Sequence, residues 1–227
     1  RACGFTRCKW SGLLKIEKTS KEIAEWKIYT LTVSFYTVVY VVLVTLPFYI
    51  LAVNKSLLAT GTIMAATMLA SMVVRPFAGM FIDRFGTQKM LLLSVVFFAI
   101  SLLGYFYQSL WFFWVIRLFQ GAAAACFSTA MEIVIIERFH RRDRARGLSW
   151  YSLATIFPTT FSPVVGLYLV GKVTFSELFL GFLLLAMLNV LLAANLIKSV
   201  SVKHYQFERV KSDVLKMTLG SPFFVLP

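Results

Sequence analysis

The chain has 227 residues, of which 59% are hydrophobic and 15% charged, and its mean hydropathy is +0.78. Soluble domains carry about a quarter charged residues, so this composition has too little polar surface for a soluble fold and points to a membrane protein. The net charge of +13 lies between long uncharged runs rather than on a polar domain. That excludes a nucleic-acid partner and fits charge that flanks membrane spans and meets anionic lipid headgroups.

The first 27 residues form a basic tail, in which LLKIEKTSKEIAEWKIY has the pattern of either a short amphipathic surface helix or a disordered segment. Cys3 and Cys8 lie in this tail and Cys126 in an apolar run, a pattern of reduced thiols without metal-ligand spacing. Beyond the tail, charged residues bound a series of uncharged runs. Lys27 and Lys55 enclose 27 residues, Lys55 and Arg75 enclose 19, Lys89 and Arg117 enclose 27, Arg146 and Lys172 enclose 25, and Glu177 and Lys198 enclose 20. A spanning helix needs about 20 apolar residues, so these are five spans. A further span runs from Trp111 to Ile136, interrupted by Arg117 and Glu132. The runs are too long for barrel strands and lack their alternation. The expected organisation is a tail over 1–27, six spans over 28–198 and the start of a linker over 199–227.

Lys and Arg distribute unevenly among the connections. Alternate segments hold 7, 3, 5 and 5 of them, against 1, 0 and 1 in the segments between. Basic segments stay in the cytoplasm, which predicts that the N-terminal tail, the second and fourth loops and the segment after the sixth span are cytoplasmic, in a plasma or inner membrane. Tyr105, Tyr107, Trp111 and Trp114 cluster at the short turn on the opposite side, where aromatic rings favour the headgroup depth.

The second loop reads RPFAGMFIDRFGTQK. Gly79 has no side chain to hold off a neighbouring helix, Gly86 permits a tight turn, and Asp83 is suited to accept from exposed backbone donors at a helix N-terminus. The fourth span carries RLFQGAAAACF. Counting from Ser109, Arg117 lies about 12 Å into the membrane, where a guanidinium costs at least about 2.5–3.5 kcal/mol. It is therefore expected to face the protein interior or a wet cavity. One reading makes it a cavity residue that tunes coupling or binds an anionic group, with Gln120 one turn away; the other makes it a structural arginine bonded to backbone carbonyls. Gly121 to Ala125 are small enough for close helix packing. Glu132 has two readings as well, a proton-carrying carboxylate or a near-surface partner of the Arg138–Arg146 cluster. The fifth span contains Pro158 and Pro163, each of which removes a backbone hydrogen bond and favours a kink.

These two segments resemble the signatures of the major facilitator superfamily. Gly79, Asp83, Arg84 and Gly86 occupy the G-x-x-x-D-R-x-G positions, with Thr87 and Gln88 where basic residues are usual. Arg117, Gln120, Gly121, Ala124 and Ala125 match a pattern of the fourth helix, with Ala123 in place of Gly. In the fifth helix the exporter pattern is degraded: Ser149, Pro158 and Ser162 replace glycines, while Pro163 and Gly166 survive.

The resemblance implies an all-α fold of six helices as two three-helix inverted repeats, half of a twelve-helix transporter. It implies alternating access, with Gly79, Asp83, Arg84 and Gly86 as a conformational latch and Pro158, Pro163 and Gly166 in a gating helix. Arg117, Gln120, Gly121 and Glu132 are the candidate cavity or coupling residues. The expected activity is proton-coupled efflux (antiport) of a small organic molecule, with import by a symporter as the alternative within transport and a membrane enzyme or channel as the remote one. The partners expected are that substrate, protons, membrane lipid and a second half of the same protein. The chain opens on Arg1 and stops at Pro227, so it reads as a piece of something longer. No cofactor or metal is expected. No hydrolase, metalloprotease, P-loop or dinucleotide motif occurs, and His140 and His204 fall in polar connections.

Overall fold

The computed structural model describes residues 4–54, 56–107 and 109–199, with side chains described for 25–52, 56–107 and 109–198. It contains six long helices, α1 (Gly4–Asn54), α2 (Leu57–Phe85), α3 (Thr87–Leu103), α4 (Leu110–Arg138), α5 (Arg144–Val170) and α6 (Phe175–Ser199), plus one 3-10 turn over Gly104–Phe106. Among the described residues all six are long and apolar enough to cross a membrane, and no strand occurs. Helices satisfy every backbone polar group internally, the condition that hydrocarbon imposes. The backbone of the tail continues the helix of the first span instead of forming a separate element, and the linker expected over 199–227 lies outside the described residues from 200 onward.

The connections are short, and local chemistry sets them. The Ser56 hydroxyl accepts from the Ala59 amide and starts α2. A single residue, Gly86, joins α2 to α3 with φ 89° and ψ 143°, and its amide donates to the Ile82 carbonyl at 2.8 Å. That backbone is open to glycine and strained for other residues. On entry to α6, Glu177 accepts from the Thr174 amide at 3.2 Å, placing a carboxylate at the helix N-terminus.

The order of packing differs from the order of the chain. α2 packs chiefly on α4 and α1 on α5, while α3 meets α4, α1 meets α6, and α3 meets α6. Exchanging α1 with α4, α2 with α5 and α3 with α6 turns this set of neighbours into itself. The first three helices and the last three therefore hold equivalent places in the packing, as two interlocked three-helix repeats. α4 lies at the centre and is the most buried of the six, while α2 and α5 are the least buried.

Aromatic rings fill the core. Phe35 of α1 stacks on Phe127 of α4 at 3.8 Å and meets Phe98 of α3 at 5.0 Å. Nearer the other end, Tyr105 stacks on Phe179 at 5.0 Å, and Tyr49 packs against Phe113 and Phe179. Tyr105 is therefore a core residue with no exposed surface and not part of the headgroup belt expected for it, whereas Tyr107 and Trp111 are exposed.

Candidate functional site

The site begins with the closeness of α2 and α4. A Cβ on Gly121 would collide with the Thr67 carbonyl and press on the Ala70 methyl group. No residue larger than glycine fits without moving α2. This approach brings Met64 of α2 over Arg117 of α4.

Arg117 is 2% exposed. Its Nη1 donates to the Gln120 Oε1 at 3.3 Å, and its Nη2 contacts the Met64 sulfur at 3.3 Å. Gln120 Oε1 also accepts from the Tyr105 hydroxyl at 2.8 Å, and the Tyr105 carbonyl accepts from the Tyr49 hydroxyl at 3.2 Å. A polar chain thus runs from α1 through the end of α3 to the first half of α4. The buried Arg117 Nε, Gln120 Nε2 and Thr67 Oγ1 have no hydrogen-bond partner. A guanidinium removed from water normally takes an anion or several oxygens. Here it has one amide oxygen and a thioether, and no described residue supplies a carboxylate or backbone carbonyl to it.

The interior position expected for Arg117 is therefore observed, with Gln120 beside it, and its bonds go to side chains rather than to the backbone. The small residues from Gly121 onward do admit a neighbouring helix, and that helix is α2. Neither Tyr105 nor Met64 was legible as a partner, because aromatic and thioether side chains at membrane depth are indistinguishable from core filler.

Glu132 lies elsewhere. It is exposed on α4, fifteen positions from Arg117 and about 22 Å along the helix. Its electrostatic neighbours are Arg75 of α2 and the tyrosines Tyr36 and Tyr151, not the Arg138–Arg146 cluster. Arg75 itself lies inside α2, ten residues before its end, instead of in the loop beyond that helix.

At the basic end of α2, Asp83 and Arg84 are exposed, and nothing lies within 4 Å of where a Cβ of Gly79 would stand. No described residue makes the close approach that Gly79 permits. In α5, Pro158 and Pro163 both lie within one continuous helix. Pro158, Ser162 and Gly166 share the buried face, and Gly166 lies against Val44 and Thr45 of α1.

A six-helix membrane unit of two interlocked repeats matches the architecture of one half of a secondary transporter. Residues 28–226 match the profile of the Major Facilitator Superfamily. The chain belongs to that family. It is 32% identical over 139 residues to the staphylopine export protein of Staphylococcus aureus, an alignment covering 61% of this chain and 35% of that protein. It is 26% identical over 114 residues to multidrug resistance protein 2 of Bacillus subtilis, covering 49% of this chain and 28% of that one. Among solved structures, a D-xylose-proton symporter superposes with a TM-score of 0.63 at 16% identity, covering 89% of this chain and 52% of that chain. The matched segments span about a third of the two curated relatives, and the chain spans about half of the structural neighbour.

Proposed function

We propose that the complete gene product exports a small organic molecule by alternating access, driven by a proton gradient. The buried guanidinium of Arg117 carries this reading. A charge held at membrane depth without a described counter-ion is costly and marks a working site. The relatives named as an export protein and a multidrug resistance protein favour export over import, while the 16% match to a symporter bears on fold alone.

In this scheme a second six-helix half faces the exposed sides of α2 and α5, and substrate binds near the midplane between the halves. Arg117, Gln120 and Gly121 hold the polar centre of this half, and Glu132, at the open face, is the candidate proton carrier. Gly79, Asp83, Arg84 and Gly86 latch the halves together, and α5, with Pro158, Pro163 and Gly166, moves as a gate. The basic ends of the helices, the N-terminal tail and the segment after α6 lie in the cytoplasm, with the six-helix unit in the plasma membrane.

The test is efflux from proteoliposomes containing the complete gene product, with ethidium as the probe. An imposed proton gradient is expected to drive ethidium out, and a protonophore to stop it. Export that continues at the same rate after the gradient collapses would overturn proton coupling. Expression of Arg117→Ala in the membrane with export lost supports its working role. Loss of expression instead would assign it a structural one.

A further inference from the structure

The charged groups at the open face of the unit form a set separate from the Arg117 centre. Arg75 and Glu132 are both exposed, on helices whose contacts, Arg117 with Met64 and Gly121 with Thr67, advance in the same direction. The contact of Arg117 with Met64 fixes the register between α4 and α2 at 53 positions. Continued along the two helices at about 1.5 Å per residue, that register would bring Glu132 to about the level of Gly79, roughly a turn from Arg75. The two charges sense each other, yet no described residue closes an ion pair with either. Beside Gly79 there is open space where a side chain would otherwise stand.

A second pair of polar groups stands on α1 and α5. The Tyr36 and Tyr151 hydroxyls lie 3.4 Å apart, with either one able to donate. Both sense Glu132 and Arg75. Tyr36 packs edge-on against Phe127 of α4, which ties this hydroxyl pair to the helix that carries Glu132. All four groups stand well inside their helices: Glu132 lies about 9 Å and Arg75 about 15 Å from the basic ends. Apolar side chains dominate the exposed surface around them, including Met72, Val73 and Leu153. Opposite charges at membrane depth ordinarily pair with each other. Two that stay apart, with hydroxyls beside them, match a ligand that carries both signs itself.

We infer that Arg75, Glu132 and the Tyr36–Tyr151 hydroxyl pair form a subsite for a zwitterionic group, with Arg75 taking a carboxylate and Glu132 an ammonium. The inference rests on the transport reading and adds to the molecules it would carry a class of small amino-carboxylates with an apolar body. Each charge-assisted contact sets one half of the selectivity.

The test uses the complete gene product in lipid nanodiscs and three probes: phenylalanine, phenylalanine methyl ester and N-acetylphenylalanine. Phenylalanine is expected to bind about tenfold tighter than either of the others, a loss of one charged hydrogen bond in each case. Glu132→Gln removes the preference over the N-acetyl form, and Arg75→Gln removes the preference over the ester. Equal affinity of the three probes for the unmodified protein, or no binding of phenylalanine at millimolar concentration, overturns the subsite. If either variant is poorly folded, Glu132→Asp and Arg75→Lys replace it; both retain the charge and are expected to keep the order of the three probes, and a lost order overturns the assignment. Counterflow of labelled phenylalanine in proteoliposomes separates the two readings. Charge-selective binding without counterflow refutes transport and keeps the subsite. Counterflow of all three probes alike refutes the subsite and keeps transport.

Discussion

Replacing Gly121 with alanine is expected to push α2 off α4. The new methyl group would overlap the Thr67 carbonyl and crowd the Ala70 methyl. Carbon and oxygen settle at about 3.3 Å or more, so the helices must part by roughly an ångström, and a carbonyl in a helix has no rotamer with which to yield. Overpacking costs about 1–3 kcal/mol, and against a carbonyl that cannot yield the upper part of that range applies, about 2–3 kcal/mol. The better helix propensity of alanine offsets about 1 kcal/mol of that, which leaves a net loss of about 1–2 kcal/mol. For a unit of this size the melting temperature falls by about 2–8 °C. Gly61→Ala and Gly181→Ala supply the comparison, because nothing lies within 4 Å of either site. There the propensity gain stands alone, and stability holds or rises by about 1 kcal/mol. Thermal unfolding of the three variants in one detergent reads the difference directly. If Gly121→Ala melts at or above the unmodified protein, the close approach of α2 to α4 is not what makes this position glycine.

The polar chain and the α2–α3 turn give further expectations. Gln120→Leu leaves the Tyr105 hydroxyl and the Arg117 Nη1 without a partner and should cost about 1–3 kcal/mol for each stranded group. Tyr105→Phe removes one bond and should cost about 1 kcal/mol, so thermal melts that reverse this order would contradict the network. Gly86→Ala, placed at φ 89°, should cost about 1–3 kcal/mol in backbone strain, read as a lower melting temperature. Asp83→Asn is expected to slow exchange between the inward and outward states while substrate affinity stays within about twofold; an unchanged transport rate counts against the latch.

The number and positions of the spans were open to sequence reasoning, because charge is so expensive in hydrocarbon that its absence marks a span. The register between helices was not. A soluble helix shows which side is buried by its polar stripe, but lipid tails are as apolar as a protein core, so Phe127, fully buried, and Phe119, half exposed, look alike in sequence. Arg75 illustrates the cost of that ambiguity. Read as the end of a charge-free run, it belongs to a loop; α2 continues for ten residues beyond it, and the residue becomes a charge on the open face beside Glu132. Gly121 was legible because a small residue has one main use at membrane depth, whereas Tyr105 has the sequence setting of a headgroup aromatic and only its hydroxyl bond to Gln120 sets it apart.

The interlocking of the repeats bears on how the chain is made. α1 finds its principal partner in α5 and α2 finds its own in α4, so the first three helices enter the bilayer before the surfaces they need exist. They must wait there with the face of Phe35 that stacks on Phe127 still uncovered. Assembly of this unit is a late and concerted event. A ribosome stalled between α3 and α4 should therefore hold three loose, protease-sensitive helices, whereas one stalled after α5 should hold a bundle.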